Sequence, residues 1–114
     1  MKYMILMTDG AGAWDRLSAD EQAAVFRKHG EFQAALEREG KYVTSGRLDG
    51  AAAAKTVQRD ARGRTKVVDG PFAETKEVLG GFYVIEAESL AEALSWAERG
   101  RFIAGSNEVR PFLE

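Results

Sequence analysis

Residues 80–100 read GGFYVIEAESLAEALSWAERG. Phe82, Tyr83, Val84 and Ile85 follow one another without a polar break, so a strand here sends large apolar side chains to both of its faces. The period then changes. Leu90, Ala93, Leu94 and Ala97 recur at helical spacing. Ser89 and Glu92 form a capping box, in which a hydroxyl and a carboxylate satisfy the unpaired backbone donors at a helix start. Gly100 closes the helix. A strand apolar on both faces that runs into an amphipathic helix predicts a layered domain of mixed α and β structure.

The same unit opens the chain. Residues 2–8 read as a strand, with Tyr3, Ile5 and Met7 on one face and Met4 and Leu6 on the other. Ser18 with Glu21 repeats the capping box, and Val25, Phe32, Ala35 and Leu36 make the stripe of a helix that Gly40 ends. KYVTSGRL (41–48) reads as a strand, and KTVQRDARGRTKVV (55–68) as a hairpin turning at Asp60 to Gly63. NEVRPFL (107–113) is the last strand, where Pro111 predicts a sheet edge or a strand end. The fold class is therefore α+β, a ferredoxin-like βαββαβ order with an inserted hairpin and both helices on one face of the sheet. The opposite apolar face needs a partner, and a homodimer is the simplest one.

At 114 residues, with 45% hydrophobic and 30% charged side chains, the chain fits one soluble domain spanning 1–114. A net charge of -2 argues against nucleic acid as a partner, because phosphate binding requires a basic face. The chain has no cysteine, which excludes disulfides, thiolate metal sites and a cysteine nucleophile. MKYMILM is too short for a signal peptide or a membrane span, so the expected location is the cytoplasm, with no membrane partner. Gly10 and Gly12 lack the third glycine of a dinucleotide fingerprint and read as a flexible loop. No redox cofactor is indicated.

His29 is the only histidine, so any imidazole chemistry is its own. It falls on the apolar stripe, between Val25 and Phe32, and faces the sheet. Two readings stand: a partly buried histidine satisfied by one hydrogen bond, or a general acid or base in a cleft between helix and sheet. Metal binding would need carboxylate co-ligands that no spacing here supplies.

The run VVDGPFAETKE (67–77) raises the same choice. Asp69-Gly70 marks a turn, Pro71 stiffens its exit, Phe72 can anchor it by burial, and Glu74, Lys76 and Glu77 surround it. Asp69 either caps its own turn or reaches His29 to orient the imidazole. Gly80-Gly81 permits a bulge or the close approach of another backbone. Trp14, in the loop before the first helix, is placed to cover a cleft, whereas Trp96 reads as a core or interface anchor. Arg59, Arg62, Arg64 and Lys66 make the hairpin basic, without interleaved aromatics, and read as solvated. Ser18 and Ser89 are used as caps, and Ser45 and Ser106 have no neighbouring base in sequence.

DGPFAETKE followed by GGFYVIEA resembles the signature of the DGPF proteins, in the YCII-related group. The opening strand, ALEREGKYVTSGRL and SNEVRP extend the resemblance over nearly the whole chain. It implies a ferredoxin-like fold pairing into a dimeric α+β barrel. It also implies a small-molecule cleft worked by a histidine and an aspartate, here matched by His29 and Asp69; Trp14, Pro71, Phe72, Glu74 and Lys76 are read from their own placement as its rim. A link of the group to extracytoplasmic-function sigma factors implies a rival role, a non-catalytic regulatory module.

Overall fold

The computed structural model describes residues 1–71 and 77–113. Along the chain run β1 (Lys2–Gly10), α1 (Ala19–Arg38), β2 (Tyr42–Arg47), β3 (Lys55–Arg59), β4 (Thr65–Asp69), β5 (Glu77–Glu86), α2 (Leu90–Arg99) and β6 (Gly105–Pro111). A single 3-10 turn, Ala51–Ala53, lies between β2 and β3. Four strands form one antiparallel sheet in the order β2-β5-β1-β6, and β3 and β4 pair only with each other. The architecture is thus mixed α+β, with two helices and antiparallel sheets.

Local chemistry starts and stops the helices as expected, with one difference. At α1 the Ser18 hydroxyl accepts from the Glu21 N–H at 3.1 Å, and the Glu21 carboxylate accepts from the Ser18 N–H at 2.9 Å. At α2 only half of that exchange forms. Ser89 accepts from the Glu92 N–H, but the Glu92 carboxylate accepts instead from the Glu88 N–H and binds Lys41 at 2.8 Å. The lysine draws the carboxylate away and ties α2 to the segment leading into β2. At the end of α1, Gly40 takes a φ of 70°, so that Lys41 N–H reaches the Leu36 carbonyl and Gly40 N–H that of Glu37. That pair of bonds is a Schellman closure.

Both helices pack on the same face of the sheet. Tyr3, Ile5 and Met7 of β1, Tyr83 and Ile85 of β5, Phe32 and Leu36 of α1, and Ala93 and Trp96 of α2 form one buried cluster. Leu36 and Ile85 are 0% exposed and Ile5 is 1% exposed, each burial stabilising by about 1.5–3 kcal/mol. Trp96 therefore belongs to the core. On the opposite face Met4, Leu6 and Phe82 are half-buried and Leu79 is exposed. One sheet under one helix layer accounts for the smallest extent, 18 Å, of a molecule of 48 × 42 × 18 Å.

Gly80 and Gly81 do what their pairing suggests. The β1–β5 register jumps from Met7↔Gly81 to Thr8↔Leu79, which leaves Gly80 as the extra residue of a bulge. A side chain on Gly81 would start 2.7 Å from the Gly46 carbonyl oxygen, so β2 and β5 can approach only because it has none. The bulge lets β5 begin at Glu77, before the glycines, and β1 keeps its pairing as far as Gly10. The last strand is β6, an edge strand that ends on Pro111.

The hairpin leaves this body. Its cross-strand pair Val57↔Val67 is 68% and 66% exposed. The radius of gyration, 16.0 Å, exceeds the about 13 Å expected of a compact chain of this length because of that arm.

Candidate functional site

A cleft of about 660 Å³ opens between α1 and the end of the sheet where β1 meets the loops. Met7 and Asp9 of β1, Trp14, the Val25, Phe26 and His29 side of α1, and Tyr83 of β5 line it. Ser45 and Arg47 of β2 and Arg101 and Phe102 beyond α2 complete the wall. Most of the lining is apolar or aromatic, with a few polar groups, as in sites for small organic molecules.

His29 is one of the polar groups on this wall. The imidazole Nδ1 lies 2.9 Å from the Tyr83 hydroxyl, the two rings are nearly parallel at 12°, and Phe102 presents its edge at 4.7 Å. Burial pushes the His29 pKa below its ordinary value, and the positive charge of Arg101 adds to the shift. Asp9 opposes it, and Arg47 lowers it further. Burial also pushes the Tyr83 hydroxyl up to about 12, with Tyr42 contributing. Both groups are therefore neutral at pH 7. The hydroxyl can donate to Nδ1, which leaves the proton on Nε2, or accept from Nδ1–H, which leaves Nε2 as a lone pair. Among the described residues Nε2 has no hydrogen-bond partner. The Nε2 atom can thus present the cleft with an N–H donor or a lone pair, according to the tautomer of the ring and the matching turn of the Tyr83 hydroxyl.

Two arginines reach the cleft and differ in what holds them. Arg101 donates through Nη1 to the carbonyls of Thr8 (3.0 Å) and Ser106 (2.8 Å) and to Asn107 Oδ1 (2.9 Å), and through Nη2 to the Asp9 carboxylate. Its Nε is buried and has no hydrogen-bond partner among the described residues. This guanidinium fastens β1 to the start of β6. Arg47 instead lies over the faces of Trp14 and Phe26, 4.7 and 4.6 Å from their centroids, and these rings meet edge to face at 5.3 Å.

The structure brings together part of what the sequence singled out. His29 and Trp14 both line the cleft. Asp69 does not join them. It sits on β4, is 89% exposed and pairs with Lys55 across the hairpin, in register Lys55↔Asp69. The expected orientation of His29 by Asp69 is corrected accordingly: Tyr83 holds the imidazole, and the carboxylate whose charge reaches it is that of Asp9. The physical reason is the separate hairpin sheet, which carries Asp69 away from the body. Pro71 is exposed, follows Gly70 at φ 86°, and lies outside the cleft lining. Phe72, Glu74 and Lys76 fall outside the described residues. Ser45 accompanies Tyr42, hydroxyl to hydroxyl at 2.7 Å.

Tyr83, Asp9, Arg47 and Arg101 are site residues that spacing did not reveal. Tyr83 carried a usable signal, since its alternation with Ile85 puts it on the helix-facing side of β5, where His29 points. Among the described residues no group of three or more histidine, cysteine or carboxylate side chains could hold a metal ion. No helix among them is long and apolar enough to cross a membrane.

The model of the YCII-related domain matches residues 1–114. An uncharacterized protein of Rhizobium meliloti (strain 1021) is 40% identical, over 97% of this chain and 91% of its own length. Among solved structures, the 5-chloro-2-hydroxyhydroquinone dehydrochlorinase of Burkholderia phenoliruptrix AC1100, in complex with 2,5-dihydroxybenzoquinone, superposes with a TM-score of 0.56. The match covers 99% of this chain and 94% of that one at 19% identity, a likeness of fold.

Proposed function

The chain belongs to the YCII-related family, and from that premise we propose that it binds a small organic molecule in the α1 cleft and moves a proton on it. His29 is the acid–base group and Tyr83 the hydroxyl that sets its tautomer. The observation that carries this reading is the only histidine of the chain, neutral at pH 7, facing a 660 Å³ cleft with its Nδ1 engaged and its Nε2 unpartnered among the described residues. The ring-sized ligand of the dehydrochlorinase supports an occupant of similar size, because the two chains share a fold along nearly their full lengths.

The working form is a cytoplasmic homodimer, in which a ferredoxin-like frame pairs through its open sheet face into a dimeric α+β barrel. Met4, Leu6, Phe82 and the exposed Leu79 supply an apolar surface on that face. Light scattering tests the assembly, and a monomer at micromolar concentration overturns it.

The chemistry is tested by titrating 2,5-dihydroxybenzoquinone calorimetrically into the protein. Halide release from chlorinated hydroxyquinols is followed in the parent and in His29→Gln. The variant is expected to keep binding and to lose about 100- to 10,000-fold in turnover, the usual contribution of a positioned acid–base group. Turnover by His29→Gln at the parent rate rejects the acid–base role. Tight binding without turnover in either protein makes the cleft a sensing site, as a regulatory module would use it.

A further inference from the structure

The two cleft arginines carry a second conclusion, resting on the reading of the cleft as a small-molecule site. We propose that Arg47 is its anion anchor, and that the ligand is a flat ring bearing an acidic oxygen group, carboxylate or enolate, held by the Arg47 fork while the ring reaches inward to His29.

The argument is one of remaining capacity. A guanidinium has five N–H donors in a planar fork that matches a carboxylate. Arg101 has committed both Nη atoms to Thr8, Ser106, Asn107 and Asp9, and its one unpartnered nitrogen among the described residues, Nε, is buried, so it cannot present a two-pronged fork to a ligand without loosening β1 from β6. Among the described residues the Arg47 guanidinium has committed none: its ring contacts are the faces of Trp14 and Phe26, and it forms no ion pair with a carboxylate. Asp15 and Asp49 also line the cleft, but neither pairs with Arg47, and Asp49 accepts from the Gly50 N–H.

The cation–π contacts give the N–H donors of Arg47 no oxygen or nitrogen acceptor, so the donors remain available to an anion. They also restrain a long side chain before any ligand arrives, which lowers the ordering cost of binding. The same rings supply the surface on which a flat ligand would lie, continuous with the Phe102 and Tyr83 walls beside His29. The charge of Arg47 is felt at His29. An anion seated on the fork therefore lies within electrostatic reach of the imidazole and favours its protonated form.

The test uses benzoate and its neutral analogue benzamide. The carbon protons of the single imidazole are followed by NMR through a pH titration at fixed salt, and affinities are taken by calorimetry. Benzoate is expected to bind at least tenfold more tightly than benzamide and to raise the His29 pKa at saturation. Arg47→Gln is expected to lose at least tenfold in benzoate affinity and to abolish the rise, with an unchanged melting temperature. Arg47→Lys, which keeps the charge but not the fork, should fall between, and it serves if Arg47→Gln does not fold. His29→Gln should keep its benzoate affinity. Equal binding of the two probes, or unchanged benzoate affinity in the arginine variants, overturns the anchor while leaving the cleft in place. Failure of benzoate, benzamide and 2,5-dihydroxybenzoquinone alike overturns the cleft reading and the anchor with it.

Discussion

Ile5 and Ile85 pack beneath the helices at 1% and 0% exposure, whereas Val57 and Val67, also β-branched and also on antiparallel strands, are 68% and 66% exposed. The sheet and the hairpin use the same local pattern, alternation on paired strands, with opposite results. Under the sheet, α1 and α2 convert the pattern into buried area. Among the described residues no helix lies over the β3–β4 arm, and a two-stranded ribbon alone is only marginally stable in water. Local pattern therefore selects the element and does not say what covers it. The residues of DGPF that the structure describes, Asp69, Gly70 and Pro71, lie on the arm side of this division, and His29 lies on the other.

The contrast can be broken by substitutions on each side. Leu36→Ala should cost about 2–5 kcal/mol in urea unfolding, since it empties a fully buried site between helix and sheet. A cost below about 1 kcal/mol would mean that the core is looser than its packing shows. Ser89→Ala should cost about 1 kcal/mol by removing the acceptor for the Glu92 N–H. Val57→Thr on the arm should stay within about 0.5 kcal/mol for the isolated chain. A larger loss would show that the arm is covered in solution.

Two smaller effects sharpen the line between arm and cleft. Asp69→Asn should leave the His29 titration in place, because its carboxylate is engaged with Lys55. Asp9→Asn should move the His29 pKa further down, because Asp9 is the charge that opposes the shift. Coinciding titrations for parent and Asp9→Asn would remove Asp9 from the site.

The pH dependence has a definite sign. Native His29 titrates below its ordinary 6.5, so between the native value and 6.5 the unfolded chain takes up the proton first. The contribution of neutral His29 to stability is complete above 6.5 and is lost as pH falls towards the native pKa. Unfolding curves of the parent should weaken over that window more than those of His29→Gln. Parallel pH profiles would count against the burial of the imidazole.

Much of the element plan was legible because its signals are local. Ser18 and Glu21 cap by contacts within one turn, Gly40 ends α1 by its own backbone freedom, and the hairpin between Lys55 and Asp69 announces itself by valines around a turn. His29 and Trp14 could be placed at a cleft because one follows a helical stripe and the other precedes it. The partner of His29 could not be read in the same way. Asp69 is adjacent to a rigid turn in sequence, but its side of the hairpin and the departure of the arm from the body depend on long-range pairing. Tyr83, Arg47, Asp9 and Arg101 come from β5, β2, β1 and the segment after α2, and only the sheet order assembles them. The capping box at Ser89 was half right for a related reason, since Lys41 competes for Glu92 from a distant part of the chain.

The two tryptophans divide the molecule optically. Trp96 is 3% exposed, with its indole N–H on Glu92 and the Arg99 guanidinium 4.2 Å from its ring. Its emission should report on whether the core is intact. Trp14 stands beside Arg47 at the cleft, where an arriving ligand would quench or shift its emission without disturbing the other indole. A Trp14→Phe variant would silence the cleft signal and keep the folding signal, so occupancy and unfolding can be followed separately in one cuvette, without a label.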